Sequence, residues 1–277
     1  MINKYFLAFF LATALVGCGG GGEDLSANMD GSANGTSGGS TTNQSAEGLW
    51  RGEINLSNIQ TPLNALAIGL SDKKFFMLSG SGSDYQNLWY GNSTISGNSI
   101  SSNDLKRLDM QSSMGSFNGT VSSKILNISS ISIGALSGDG SLNKDDAYKN
   151  TSSIDTITDK YLYTRDSNDI YRFEVIPKSG SDTEAEIRGS SERRNCTFSG
   201  IIKTINYKIN LYQLSNLKVN STFTNLSACD ALGGSTDITV DGYATVVKLQ
   251  YSNKPAFLFF GLTSDKLKWF SGFGESI

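Results

Sequence analysis

Apolar positions in this chain fall into short runs, some alternating with polar residues and some apolar throughout, separated by Gly, Ser, Asn and Asp. Runs of that length and spacing fit strands and not helices. The first set comprises Gly48 to Ile54, Ala65 to Leu70, Lys74 to Leu78, Asn87 to Ile95, Ser116 to Val121 and Ile125 to Ile133. A break near Ser137 to Ser153 precedes the second set: Lys160 to Thr164, Ile170 to Ile176, Glu184 to Gly189, Cys196 to Ile205, Tyr207 to Leu214, Asp237 to Tyr251, Pro255 to Leu262 and Lys266 to Phe273. Turn chemistry at Ser71-Asp72, Asp139-Gly140, Gly180-Ser181-Asp182 and Asn253-Lys254-Pro255 punctuates these runs. Helix signals are thin. Asn103 to Met114 and Asn143 to Thr158 could each hold a turn or two, the second as a connector between two β units.

The faces of these strands point to water on one side. Tyr171, Phe173 and Val175 share a side that excludes Arg172 and Glu174, and Tyr207, Ile209 and Leu211 oppose Lys208 and Asn210. Ala256 to Phe260 and Val246-Val247 are apolar on both sides, as central or closed strands are. A small motif recurs, an aromatic residue and a glycine two positions apart: Trp50 and Gly52, Trp89 and Gly91, Phe117 and Gly119, Phe198 and Gly200, Phe270 and Gly272. Glycine bares a patch of sheet that a neighbouring ring can cover, and it permits the coil that closing a small barrel demands. The expected fold is all-β, an antiparallel barrel-like meander after a flexible N-terminal tether. Either one large unit or two small β-barrels in tandem fits, the latter bounded at 47–145 and 155–277. Three of the motifs continue alike, as Trp-Arg-Gly-Glu-Ile, Phe-Asn-Gly-Thr-Val and Phe-Ser-Gly-Ile-Ile, a weak internal similarity.

Composition removes several classes of chemistry. The 277 residues include no histidine, which excludes Ser-His-Asp and Cys-His catalysis and His-ligated zinc. With 23 basic and 26 acidic residues, the chain has no basic face for nucleic acid. Residues 18–46 are mostly Gly, Ser, Asn, Thr and Ala with hardly an apolar side chain, a composition that stays a tether with a reach on the order of 30 Å.

Ahead of that tether, Tyr5 to Ala14 form an apolar run shaped like the h-region of a secretory signal, ending in Leu15-Val16-Gly17-Cys18. This tetrapeptide resembles the lipobox of bacterial lipoproteins. The resemblance implies that residues 1–17 are a signal peptide removed on maturation, that Cys18 carries a diacylglycerol thioether, and that the new amino terminus is acylated, with palmitate as a typical chain. Gly19, where an aspartate would hold such a protein at the inner membrane, implies the outer membrane, with the body either periplasmic or surface-facing. Cys196 and Cys229 are then an even pair in an exported chain, and a disulfide between them is expected, closing a loop of about 30 residues and stabilising by roughly 3 kcal/mol in the chain-entropy model. Gly48, Trp50 and Gly52 look loosely like the first strand of lipocalin-type barrels, which implies a small-ligand cavity; a core tryptophan fits the same residues.

Candidate chemistry is sparse. Asp139 to Asp146 has oxygen ligands at alternate places, but its glycine and the lack of a closing glutamate depart from a calcium loop, and a solvated turn is the simpler reading. Glu184, Glu186 and Glu192 near Arg188, Arg193 and Arg194 are the densest charge cluster, read as an exposed hairpin and a rim for a partner. The functional expectation is therefore a non-catalytic, membrane-anchored β domain that binds a protein partner at the envelope or cell surface. Neither catalytic residue, cofactor nor metal is assigned. The alternative is a lipocalin-like carrier of an apolar small molecule, and more remotely a hydrolase built on Glu184 and Glu186.

Overall fold

A computed structural model describes residues 44–81, 84–108, 113–166, 169–191, 196–221, 237–248 and 254–277. The chain is all-β and forms two closed, eight-stranded antiparallel barrels in tandem. The first is built from β1 (Gly48–Leu56), β2 (Leu63–Gly69), β3 (Lys74–Ser81), β4 (Asp84–Asn92), β6 (Ser99–Arg107), β7 (Met114–Val121), β8 (Ile125–Ile133) and β9 (Leu136–Lys144). Its neighbours follow the order β4-β3-β2-β1-β9-β8-β7-β6, and a short β4–β6 seam closes it through Trp89 opposite Arg107 and Tyr90 opposite Lys106. A small arm, β5 (Thr94–Ser96), pairs only with β6 among the described strands. The second barrel is an up-and-down meander of β10 (Lys160–Asp166), β11 (Asp169–Pro177), β12 (Glu184–Ser191), β13 (Cys196–Thr204), β14 (Tyr212–Ser221), β15 (Asp237–Lys248), β16 (Pro255–Leu262) and β17 (Trp269–Ser276), with β17 returning to β10.

Between the barrels runs the expected connector, a 3₁₀ turn at Asp146–Lys149 and one helical turn, α1 (Ile154–Ile157). Ser153 caps α1 by accepting from the Thr156 amide. Ile154 and Ile157 are buried in the core of the second barrel, and the hydroxyls of Tyr161 and Tyr212 donate to the Ile157 and Ser153 carbonyls. The helical turn thus stops one end of that barrel.

Several stretches differ from the sequence expectation: Lys266 to Lys268 belong to a turn, so β17 starts only at Trp269, and three others differ each for a local reason. Leu136–Lys144 is a strand and not a break, so Asp139-Gly140 is no turn; Asp139 accepts a hydrogen bond from Asn55 across the ladder. Its inward positions include Gly138 and Gly140, against which Leu56 and Ile54 of β1 lean, so the alternation exists without apolar letters to mark it. Asn103 to Arg107 is likewise strand, and a bulge between Ser102 and Leu105 breaks the alternation there. Tyr207 to Asn210 is a turn, because Asn206 accepts from the Lys208 amide. Buried Asn210 then ties that turn down: its side-chain amide donates to the Val246 carbonyl and accepts from the Val246 amide, and its own amide donates to the Tyr148 carbonyl. β14 consequently begins at Tyr212 and runs on to Ser221.

Each barrel is filled by its own side chains. In the first, Trp50, Ile54, Phe75, Trp89 and Phe117 point inward, the Trp50 indole donating to the Ala46 carbonyl and the Trp89 indole to Ser79. Trp50 is thus a core residue with its polar handle satisfied. In the second, rings occupy the interior: Phe173 stacks on Tyr161 at 4.9 Å and meets Phe259 edge-on at 5.4 Å, and Phe259 lies 5.4 Å from Phe198 and 6.1 Å from Phe270. Of the five aromatic-glycine pairs, Gly272 is the one a ring covers, a side chain there sitting 2.1 Å from the Phe259 ring, whereas Gly200 lies under Leu217 and Gly119 against the Asn127 carbonyl. At Gly52 the obstacle is likewise backbone, the Ser141 carbonyl oxygen. The three similar pentapeptides stand on β1, β7 and β13, which hold different places in their barrels, so the shared letters do not mark equivalent strands.

A third apolar cluster joins the barrels. Leu66, Ile68, Phe76, Leu78, Leu88 and Tyr90 from the outer wall of the first meet Val247, Ala256, Leu258 and Phe260 from the outer wall of the second. This explains the strands that are apolar on both faces: Phe257 and Phe259 fill a barrel, and Ala256, Leu258 and Phe260 face its neighbour. Arg51 fastens the edge of this contact, donating to the Lys248 carbonyl and pairing with Asp145 at 2.7 Å.

Candidate functional site

Of the residues singled out in the sequence, Cys18 and Cys229 lie outside the described residues. Cys196 is buried at the start of β13 and is disulfide-bonded. Glu192, Arg193 and Arg194 also fall outside the described residues, but the strands that carry the rest of the charge cluster are present. Alternation on β12 buries Ala185 and Ile187 and turns Glu184, Glu186 and Arg188 outward.

Glu184 sits in a fork of two lysines, 2.6 Å from Lys203 and 2.9 Å from Lys178. Hydrogen bonds from Lys203 and then Lys178 hold its carboxyl down at about 2. That is the opposite of the raised value a general acid needs, so Glu184 is not suited to that role. Because the shift is downward, the interaction is complete above the ordinary carboxylate range and is lost as pH falls from there towards about 2. A carboxyl-carbon NMR titration is expected to place the Glu184 midpoint near 2, and Lys203→Met to move it up towards the ordinary range. A native midpoint already at the ordinary value would show that the fork is not formed.

The same outward faces carry a groove of about 490 Å³ that crosses β10 to β13. Its lining includes Lys160, Arg172 and Arg188 with a single acidic side chain, Glu174, which accepts from Arg188 at 2.6 Å. Thr197 and Ser199 on β13 stand exposed along it. Gly189 removes one side chain from the middle of the stretch, and Phe198 covers its inner side. What results is a trough with a largely apolar floor, Tyr161, Phe173 and Phe198 among its lining, and cationic side chains along it. It offers shape and charge for recognition. Among the described residues, no group of three or more Cys, Asp or Glu side chains comes together to hold a metal ion.

From the sequence, Arg188 and Glu184 were recognisable as part of a charged hairpin. Lys160 and Arg172 were not, because their place beside it depends on which strands pair. Comparison with family models, with curated proteins and with solved structures gives no match.

Proposed function

We propose that the chain is an outer-membrane lipoprotein, anchored through Cys18, whose two-barrel head binds a protein partner without transforming it. One observation carries the binding half: the trough over β10 to β13, where three cationic side chains and one acidic side chain line a wall held rigid by barrel closure. Such a surface complements an acidic segment of a partner, giving it specificity and a fast encounter. Rings and branched side chains occupy both barrel interiors, which favours recognition on the outside over a ligand carried within. The anchor half rests on the resemblance of Leu15-Val16-Gly17-Cys18 to a lipobox and on the composition of residues 18–46.

A photo-crosslinking residue placed at Thr197 in cells is expected to give one discrete adduct, weakened by Arg172→Glu. The same residue at exposed Asn127 on β8 is expected to give none. Equal adducts from both positions, or indifference to Arg172→Glu, would remove the trough as the site. Labelled palmitate that enters the native chain but not a Cys18→Ser variant supports the anchor, and its failure to enter the native chain overturns it.

A further inference from the structure

Where the apolar contact between the barrels ends, a cleft of about 390 Å³ opens, within the range of small-molecule sites. Both barrels supply its walls. Phe76 lies 5.4 Å from Phe260 and 5.5 Å from Tyr243, a group of rings that crosses from one barrel to the other.

The charges around these rings do not all cancel locally. Lys74 is paired with Asp72 at 2.6 Å. Asp104 and Asp241 also line the cleft and carry their negative charge, each held aside by neutral donors: Asp104 accepts from the Asn92 amide and side chain and from Ser102, and Asp241 from the Asn216 amide. Lys106 on β6 and Lys266 in the β16–β17 turn make no ion pair among the described residues, and each ammonium stands 5.9 Å from the centre of the Tyr90 ring. One comes from each barrel. Both ammonium groups stand beside the same ring, so an anion that enters over it can pair with either or both.

A separate observation points the same way. Tyr90 is 8% exposed, and its hydroxyl, shut off from solvent, has no hydrogen-bond partner among the described residues. A buried hydroxyl without a partner is costly, and native proteins seldom leave one so. The side chains of Lys106 and Lys266 are exposed and turn about several bonds, so an acceptor that draws them aside can reach the phenol beneath.

We propose that this cleft binds a small amphiphile with one oxyanion, held by Lys106, Lys266 and the Tyr90 hydroxyl, and a flat apolar body laid against Phe76, Tyr243 and Phe260. The oxyanion is a carboxylate or its sulfonate or phosphate equivalent, since all three accept from ammonium and phenol alike. This site is distinct from the trough on the second barrel and from either barrel's interior, so either inference can fail without the other.

Calorimetric titration of the full chain in zwitterionic nanodiscs, against protein-free nanodiscs, tests it with 2-naphthoate and its neutral counterpart 2-naphthamide. Saturable binding of naphthoate, at least tenfold tighter than the amide, is expected, and Lys106→Met with Lys266→Met is expected to weaken it at least tenfold. Tyr90→Phe should weaken naphthoate several-fold while raising the thermal midpoint of the unliganded protein, a pair of opposite signs that a purely structural tyrosine would not produce. No saturable heat at millimolar naphthoate, equal affinity for the amide, or unchanged affinity in the double lysine variant would each overturn the proposal.

Discussion

Replacing Leu258 by aspartate is expected to split the unfolding of this protein into two transitions. Leu258 is 1% exposed and belongs to the cluster between the barrels, while its neighbours Phe257 and Phe259 belong to the interior of the second. A charge at that position has no partner and forfeits at least the about 2–5 kcal/mol that truncation of a buried leucine costs. The loss falls on the contact between the barrels and not on either core, so each barrel keeps the means to fold alone. Two of the three tryptophans, Trp50 and Trp89, lie inside the first barrel, so indole fluorescence mainly follows that half, whereas far-ultraviolet circular dichroism follows both. In the native chain the two signals should share one urea midpoint, and in Leu258→Asp they should separate. Coincident midpoints in the variant would show that the cluster does not couple the barrels.

The other large effect is expected inside the second barrel. Phe259→Ala removes a ring in contact with Phe173, Phe198, Phe257 and Phe270, and should cost about 3–5 kcal/mol by the cavity it leaves. Gly272→Ala should cost about 1–3 kcal/mol for the reverse reason, since the added methyl would stand 2.1 Å from that ring. Together the changes should be less damaging than their sum by about 0.5–3 kcal/mol, because truncating the ring clears the space that the added methyl needs and the methyl fills part of the cavity. Urea unfolding of the two single variants and the double variant measures this directly. Strict additivity would mean that the ring does not rest on the glycine, and that closure has another cause.

How much of this was legible beforehand depends on what each strand places inside. β8 and β16 have the bounds that the sequence suggests, Ile125 to Ile133 and Pro255 to Leu262, because branched or aromatic residues occupy their inward positions. Even the bulge in β8 is visible in retrospect as the paired Ser129 and Ser130 between Ile128 and Ile131. β9 was hidden because glycine occupied two inward positions, and glycine reads as a turn until the side chain that covers it is known. The start of β14 was misplaced because Asn206 and Asn210 organise a turn beneath an alternating pattern. Residues of the cleft were harder still. Lys106 and Lys266 are 160 positions apart by number and look like ordinary surface lysines; only the closure seam and the packing of two barrels bring them to one ring. A clue did exist in the doubly apolar runs, which announce that something covers the outside of a strand without saying what.

The apolar wall of the first barrel also bears on how the polypeptide is made. Strands β1 to β4 leave the ribosome early, and what covers them is supplied by β15 to β17, near the other end of the coding order. Throughout elongation a nascent chain therefore carries an unshielded greasy flank, and the second barrel cannot lend its cover until β17 arrives to close against β10. Premature termination anywhere in the last strands would yield a sticky half-molecule rather than a smaller working one, and a holding chaperone would have its longest task here.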